Sequence, residues 1–377
     1  MSAAAPTPRA RRPLLRLQEG GLVLVILALG LLLTVFGGRV TLPLTRLNAA
    51  GEREMVFRTN AAGEREAVRV EQNKFLNAKN LAQVAKDTSF IAIMAVGATF
   101  IIISGGIDLS VGSIYALAAV LGAVVFRHFG PEGPGGGAPG WGGVLLGMAV
   151  CIGTATLCGL LNGGMIVTLR VHPFIITLGT MAIYRGLAFV ITQGQSIGGF
   201  PAAFRGLVRW EVGDGLSLMP LAVMLLVAIG GGIYLSRLAA GRRIYAIGGN
   251  ELASQYSGIQ VNRVKLSVFV FSGLSAGIAA LLSLGYYGSA SSGDAQGYEL
   301  NVIAAAVVGG ASLSGGKGSA LGALLGALVI QLISTGIVIL DINQNYSQII
   351  IGSVVILAVV LDQMNHWLAR RRLLRAR

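Results

Sequence analysis

Long apolar stretches separated by shorter polar ones dominate the chain. Runs near residues 21–36, 88–104, 111–127, 142–168, 174–192, 218–236, 265–287, 299–310, 319–340 and 347–363 predict about ten helices. Most reach the roughly 18–20 apolar residues that carry a helix across a bilayer. The alternating segments of about ten residues that mark a membrane β-barrel are absent. The pattern predicts an all-α polytopic membrane protein, with residues 1–377 forming a single transmembrane domain. The polar interval 39–87 is long and charged, and it contains a tandem copy: NAAGERE at Asn48–Glu54 and again at Asn60–Glu66. Its stretch from Met55 to Val70 predicts a two-stranded hairpin turning near Ala62 and Gly63. Two readings stay open for this interval: a solvated loop lengthened by duplication, or a docking surface.

Two interruptions are of a different kind. GGIDLSVG (Gly105–Gly112) and GGASLSGG (Gly309–Gly316) match at five of eight positions, and an apolar helix rich in glycine and alanine follows each. They predict a parallel internal repeat with broken helices near 104–112 and 309–318. The plainer alternative is chance likeness among glycine-rich membrane sequences. Paired glycine-interrupted segments point toward a transport pathway. An aspartate at the middle of a membrane helix costs about 2.5–3.5 kcal/mol on insertion scales. The cost falls if the backbone at Asp108 is already broken, with Gly105 and Gly106 ending one helix. Asp108 or Ser110 then accepts hydrogen bonds from the free N–H groups that open the next. Broken backbone at depth is tolerated only where protein buries it or where it lines a wet cavity. Asp108 is therefore a candidate cap and gate element, a candidate contact for a transported solute, or half of an unforeseen pair.

Composition agrees with a membrane assignment. The chain is 54% hydrophobic and 12% charged, against about a quarter charged for soluble domains. Its 55 glycines suit close helix contacts. The net charge of +13 does not imply nucleic acid, because the basic residues cluster at the chain ends and in the loop 237–265. Loops on the cytoplasmic side carry that excess. The basic tail 364–377, the N-terminal segment 1–19 and the loop 237–265 are thus expected inside, and 39–87 outside. The nine basic residues of 39–87 run against this, but six acidic residues accompany them, and long loops cross largely regardless of charge. No cleavage site follows the first apolar run, which reads as a first span. Cys151 and Cys158 lie two helical turns apart on one face, too far for a disulfide, and read as packing residues.

Several motifs carry no chemistry. LSGGK (Leu313–Lys317) resembles the signature segment of ABC-type ATPases, but no G-x-x-x-x-G-K-[ST] phosphate cradle exists in the chain. His128, His172 and His366 stand apart with no metal-ligand spacing, and nothing resembles a nucleophile with its base. The chain is not expected to be an enzyme or to bind a metal. Arg185 lies well inside a predicted span and is expected to snorkel or to pair with an acid such as Asp108 or Glu299. Asn162, Thr177, Gln193, Ser312 and Gln331 are polar positions that either line a path or bond helix to helix.

The loop GRRIYAIGGNELASQYSGIQVNRVK (Gly241–Lys265) predicts a short helix, Glu251–Ser257, with Asn250 as N-cap and Gly258 as stop. By itself this is a surface helix or a knob that docks a cytoplasmic partner. Four stretches taken together resemble one family: AIMAVGATFIIISGGIDLSVGS, NGGMIVTLRVHPFIITLGTM followed by Arg185-Gly186, the loop just quoted, and YELNVIAAAVVGGASLSGGKGSALGALLGALVIQ. They resemble the membrane subunit of bacterial ABC-type sugar importers, the ribose/xylose/galactofuranose permease family, from about Val84 to Asp362. The long duplicated outer loop departs from that family's pattern. The resemblance implies a multi-pass permease of the bacterial inner membrane with both termini cytoplasmic. It implies a second permease copy, identical or sibling, a separate cytoplasmic ATP-binding subunit and a periplasmic sugar-binding protein. The chain itself is expected to bind no cofactor, with ATP and magnesium held by the partner. The 237–265 loop becomes the coupling loop, with Arg242, Arg243, Asn250, Glu251, Ser254, Gln255 and Gly258 as its ATPase-facing candidates. Asp108, Ser110, Asn162, Thr177, Arg185, Gln193, Glu299, Ser312 and Gln331 are the pathway candidates. A pentose or hexose is the expected cargo. The alternatives are an ion-coupled secondary carrier, or an importer of the same family for a non-sugar small polar solute.

Overall fold

The computed structural model describes residues 17–47, 53–59, 63–135, 141–212 and 216–375. The basic residues before Leu17 and the duplicated stretches at 48–52 and 60–62 lie outside the described residues. Helix α1 (Leu17–Phe36) opens the chain. A strand-forming segment follows as β1 (Arg39–Pro43), β2 (Thr45–Leu47), β3 (Arg53–Met55), β4 (Phe57–Thr59), β5 (Arg65–Ala67) and β6 (Arg69–Asn73). The membrane core begins with α2 (Ala78–Ile103), α3 (Val111–His128), α4 (Trp141–Leu169) and α5 (Pro173–Thr192). Next come β7 (Ile197–Gly198), α6 (Ala202–Val208), β8 (Glu211–Val212), β9 (Leu216–Ser217) and α7 (Leu218–Arg237). Two short helices, α8 (Ala239–Gly249) and α9 (Glu251–Tyr256), precede α10 (Val261–Tyr287). The chain closes with β10 (Ser289–Ala290), α11 (Tyr298–Val308), α12 (Ala320–Ile339), a 3₁₀ turn at Gln344–Tyr346 and α13 (Ser347–Arg375).

Eight of these helices are long and apolar enough to cross a membrane, and two shorter apolar stretches, Tyr298–Val308 and Gln344–Val360, join them. The expected span at 299–310 is thus only α11, about 16 Å long at 1.5 Å per residue, half the thickness of a hydrocarbon core. α2 starts at Ala78, ten residues before its apolar run. Asn77 caps it by accepting from the Asn80 N–H. The first turns of α2 tolerate Lys86 because its ammonium lies 3.1 Å from Asp87, donates to the Tyr287 hydroxyl, and sits over the Tyr286 ring.

α2 and α10 form the centre. From Phe90 to Ile103 every residue of α2 is buried, so it is apolar all round, as a helix with neighbours on every side must be. α4 lies against α10 through small residues. A methyl group on Gly159 would overlap the Phe269 carbonyl, and one on Gly273 would overlap that of Ala155. Close backbone approach of this kind supplies the van der Waals packing that replaces the hydrophobic effect inside a bilayer. Cys151 and Cys158 are both buried and free on this same helix.

The segment 39–73 is a three-way junction. β1 pairs with β6, β2 with β3 and β4 with β5, all antiparallel. The predicted hairpin is the third of these ribbons, and Arg53 and Glu54, the last residues of the first copy of the repeat, pair in the second. Leu44, Val56 and Val68, twelve residues apart, close a ring of backbone hydrogen bonds: Leu44 N–H to Val68, Val68 N–H to Val56, and Val56 N–H to Leu44. The duplication thus produces two equivalent arms around one centre. Lys74 ties the base of the junction to Asp341 at 2.9 Å.

Candidate functional site

The first break starts where α2 stops. Gly105 takes φ +85°. Its N–H bonds to the Ile102 carbonyl and the Gly106 N–H to that of Ile101, the paired bonds of a glycine-terminated helix. α11 ends the same way: Gly310 takes φ +94°, with Gly310 N–H to Val307 and Ala311 N–H to Ala306. The two breaks therefore share a cap, but in a register one residue off the sequence match. Gly105 corresponds to Gly310, not to Gly309. The second break is also longer, since α12 begins ten residues after its capping glycine and α3 only six.

Between the cap and α3 the chain carries Asp108 into the packed interior, where it is 3% exposed. Oδ1 accepts from the Ser110 N–H at 2.9 Å and the Ser110 hydroxyl at 2.6 Å, and Oδ2 accepts from the Ser272 hydroxyl at 3.2 Å. The Ser110 hydroxyl in turn accepts from the Asn162 amide at 2.8 Å, and the Tyr184 hydroxyl lies 3.1 Å from Asn162 Oδ1 and 3.3 Å from the Cys158 carbonyl. Thr177 reaches the Ile107 carbonyl at 3.4 Å. One network thus joins the break to α4, α5 and α10. Ser272 is eleven residues into α10, about 16 Å from its start, so the network sits deep. The expected capping is corrected. Ser110 holds the N-cap position of α3 but makes no side-chain capping bond, and Asp108 binds the Ser110 N–H ahead of the helix. The carboxylate serves the turn and its neighbours, because Ser110 and Ser272 already face its two oxygens.

A second polar site abuts the first. Arg185 on α5 donates to the Ser292 carbonyl at 2.8 Å and the Asp294 carbonyl at 2.6 Å, and lies 3.4 Å from Glu299 Oε1. Of the two acids expected as partners, Arg185 meets Glu299 and not Asp108. The guanidinium fastens the loop 291–297 and the first turn of α11. Burial pushes the Asp294 carboxyl above its ordinary range, opposed by the Ser291 N–H that donates to it and by the charge of Arg185. Gly112, two residues past Ser110, fits because it has no side chain: a methyl there would lie 2.6 Å from the Ala295 carbonyl and 2.5 Å from Glu299 Oε1.

At the opposite end from the β-ribbons, α8 and α9 form a bent arm. The predicted short helix is α9, with Asn250 Oδ1 accepting from Ala253 N–H at 2.9 Å and Gly258 at φ +80° closing it. α8, within the same loop, was not expected. Glu251 pairs with Lys265 at 2.7 Å, and the Ser254 hydroxyl, buried, bonds to the Asn250 carbonyl. Gln255 is exposed. Arg242, Arg243, Gly258 and Gln260 line a cleft of about 640 Å³ between α8 and the turn 257–260 that follows α9. Leu252 and Tyr256, one turn apart on α9, are 65% and 90% exposed.

The remaining candidates lie elsewhere. Gln193 is the exposed C-cap of α5, with φ +52°. Gln331 bonds within α12 to Thr335 at 3.4 Å. Ser312 is buried in the second break, where its N–H bonds to the Lys317 carbonyl. Sequence reading missed Ser272, Tyr184 and Tyr245. The first two are single polar residues in apolar runs, and only their tertiary partners distinguish them.

Comparison with known proteins accords with this geometry. Residues 80–359 match the family model described as branched-chain amino acid transport system / permease component. The chain is 36% identical to the ribose import permease protein of Escherichia coli K12 over 290 residues, 76% of this chain and 87% of that one. It is 36% identical to the D-allose transport system permease protein of the same strain over 291 residues, covering 77% and 85%. It is 32% identical to the autoinducer 2 import system permease protein of Escherichia coli O9:H4 over 312 residues, covering 79% and 90%. No solved structure matches. With the match running from the first turn of α2 into α13, this chain belongs to the branched-chain amino acid transport system / permease component family.

Proposed function

We propose that this chain is the membrane-spanning subunit of an ATP-driven importer that moves a monosaccharide delivered by a periplasmic binding protein. The observation that carries the reading is the α8–α9 arm. This capped helix leaves Leu252 and Tyr256 bare on one side, and that side suits a cytoplasmic ATPase that would cover them. Exposed aromatic and aliphatic anchors one turn apart are the usual content of a helix-in-groove contact. In this reading ATP and magnesium belong to the partner, and Arg242, Arg243, Asn250, Glu251, Ser254, Gln255 and Gly258 shape the docking surface. Both termini face the cytoplasm, and the β-ribbons face the periplasm. A second permease copy, identical or sibling, completes the path.

The cargo follows from the relatives, which are named for ribose, allose and autoinducer 2. A pentose or hexose needs hydroxyl and amide partners rather than fixed charges. In this reading Asp108, Ser110, Asn162 and Thr177 gate such a path, and Arg185 and Glu299 brace its wall. Ser312 stands at the second break, and Gln193 and Gln331 are peripheral to it. Weak contacts suffice, because the binding protein selects the solute and strong binding within the membrane would slow release.

An ion-coupled carrier would need an intramembrane carboxylate free for the ion, and both oxygens of Asp108 are engaged by serines. Vesicles holding the chain with its ATPase and binding protein separate the two. The account expects D-ribose or D-allose uptake that requires internal ATP and survives collapse of ion gradients. Uptake by the chain alone, driven by a gradient, would establish the carrier.

A further inference from the structure

The glycines at the end of α8 occupy a place that docking does not explain. Gly248 packs backbone to backbone against both helix breaks. A methyl group there would overlap the Ile103 carbonyl oxygen and lie 2.6 Å from the Gly316 nitrogen. Those two groups are themselves bonded, Gly316 N–H to Ile103 carbonyl at 2.8 Å. A methyl on Gly315, at φ +82°, would lie 2.6 Å from the Gly248 carbonyl oxygen. Three main chains thus meet with no side chain between them: the last residue of α2, the end of α8, and the segment leading into α12. Tyr245, one turn earlier, donates its hydroxyl to the Gly318 carbonyl at 2.7 Å.

Side chains absorb small displacements by changing rotamer, whereas touching backbones do not. The arm is also short and stiff. Only Asn250 separates α8 from α9, and its N–H bonds back to the Ala246 carbonyl while its side chain caps α9. A push on Leu252 or Tyr256 therefore arrives at Gly248 with little loss. From Ile103 it passes in one direction to the turn that carries Asp108, and from Gly316 in the other to α12.

We propose that Gly248 is the transmission contact of the importer, through which movement of the α8–α9 arm reaches both helix breaks at once, with Tyr245 holding the arm to the second break. This rests on the importer reading above and names positioning residues that act through Ile103 and Gly316, not residues that touch solute.

The test compares three variants in lipid vesicles that contain the permease, its ATPase and its binding protein, and reads D-ribose or D-allose imported per ATP hydrolysed. Gly248→Ala is expected to keep the ATPase bound and hydrolysing while import per ATP falls by about tenfold, the upper range for mutations on a coupling route. Gly249→Ala is expected to match wild type, because a methyl there meets nothing within 4 Å. Tyr245→Phe, which removes one hydroxyl, is expected to lower the ratio severalfold with only a small drop in Tm. A Gly248→Ala ratio within about twofold of wild type overturns the proposal. If Gly248→Ala does not accumulate in the membrane, Tyr245→Phe decides, and an unchanged ratio there overturns it. A wild-type chain that imports sugar without an ATPase defeats the importer reading itself. A coupled wild type with a coupled Gly248→Ala defeats this inference alone.

Discussion

Arg185→Met removes a cation that fastens loop 291–297. In the native chain the guanidinium bonds two main-chain carbonyls and lies 3.4 Å from Glu299, with the two side chains 17% and 12% exposed. Methionine fills the volume but leaves Glu299 as a mostly buried charge without its counter-ion. Breaking a buried pair by deleting one partner costs about 3–5 kcal/mol, and this pair, not fully enclosed, belongs at the lower end of that range. Adding Glu299→Gln removes the orphaned charge and restores about 1–3 kcal/mol, a coupling of the size found between residues in direct contact. The assay is a double-mutant cycle of unfolding free energy in a mild detergent, with amide exchange of 291–297 as the local readout. The single variant is expected to speed exchange there and the double variant to slow it again. Additive effects, or a single variant within about 0.5 kcal/mol of wild type, would refute the assignment of Arg185 as the clamp on this loop.

Other outcomes follow from the same geometry. Leu252→Ala with Tyr256→Ala is expected to release the ATPase on purification while leaving the thermal stability of the permease unchanged, since both side chains are exposed. Ser272→Ala deletes one donor to a buried carboxylate and is expected to cost about 1–3 kcal/mol, seen as a lowered Tm. Lys86→Met removes the cation paired with Asp87, which keeps its bonds from Gln83 and Tyr287, and the nearer of two cations over the Tyr286 ring. It is expected to lower stability by about 1–3 kcal/mol, measured by thermal denaturation. For Asp294, burial raises the folded pKa, so the native state disfavours the charged form above the ordinary aspartate pKa. Asp294→Asn is expected to raise Tm at neutral pH, with the gain shrinking toward about pH 4.

Much of the fold is legible in the apolar runs because the bilayer demands continuous helices, and little local competition disturbs them. The first break is legible for the same reason: Gly105, Gly106 and Asp108 oppose a span so strongly that only a stopped helix accommodates them. Three features escape for distinct causes. α8 reads as loop because Gly241, Gly248 and Gly249 and two arginines mask an amphipathic turn whose buried face is Ile244 and Ile247. The outer turns of α2 escape because Lys79, Lys86 and Asp87 are polar, and only tertiary contact with Tyr286 and Tyr287 explains the last two. The register of the second break escapes because letter identity aligns glycine with glycine, whereas the backbone aligns the residue with positive φ. The site was half visible. Asp108 and Ser110 stand out in the sequence, but Ser272 lies 164 positions away in an apolar run, and nothing local separates it from a helix-packing serine.

The central claim is that the arm of this chain carries a separate ATPase. Purification of the tagged chain in gentle detergent, with co-eluting polypeptides weighed and counted, tests it most directly. The account predicts an ATP-binding polypeptide at one nucleotide-binding domain per permease, lost in the Leu252→Ala, Tyr256→Ala double variant. A monodisperse preparation of this chain alone that still transports sugar in vesicles would contradict it.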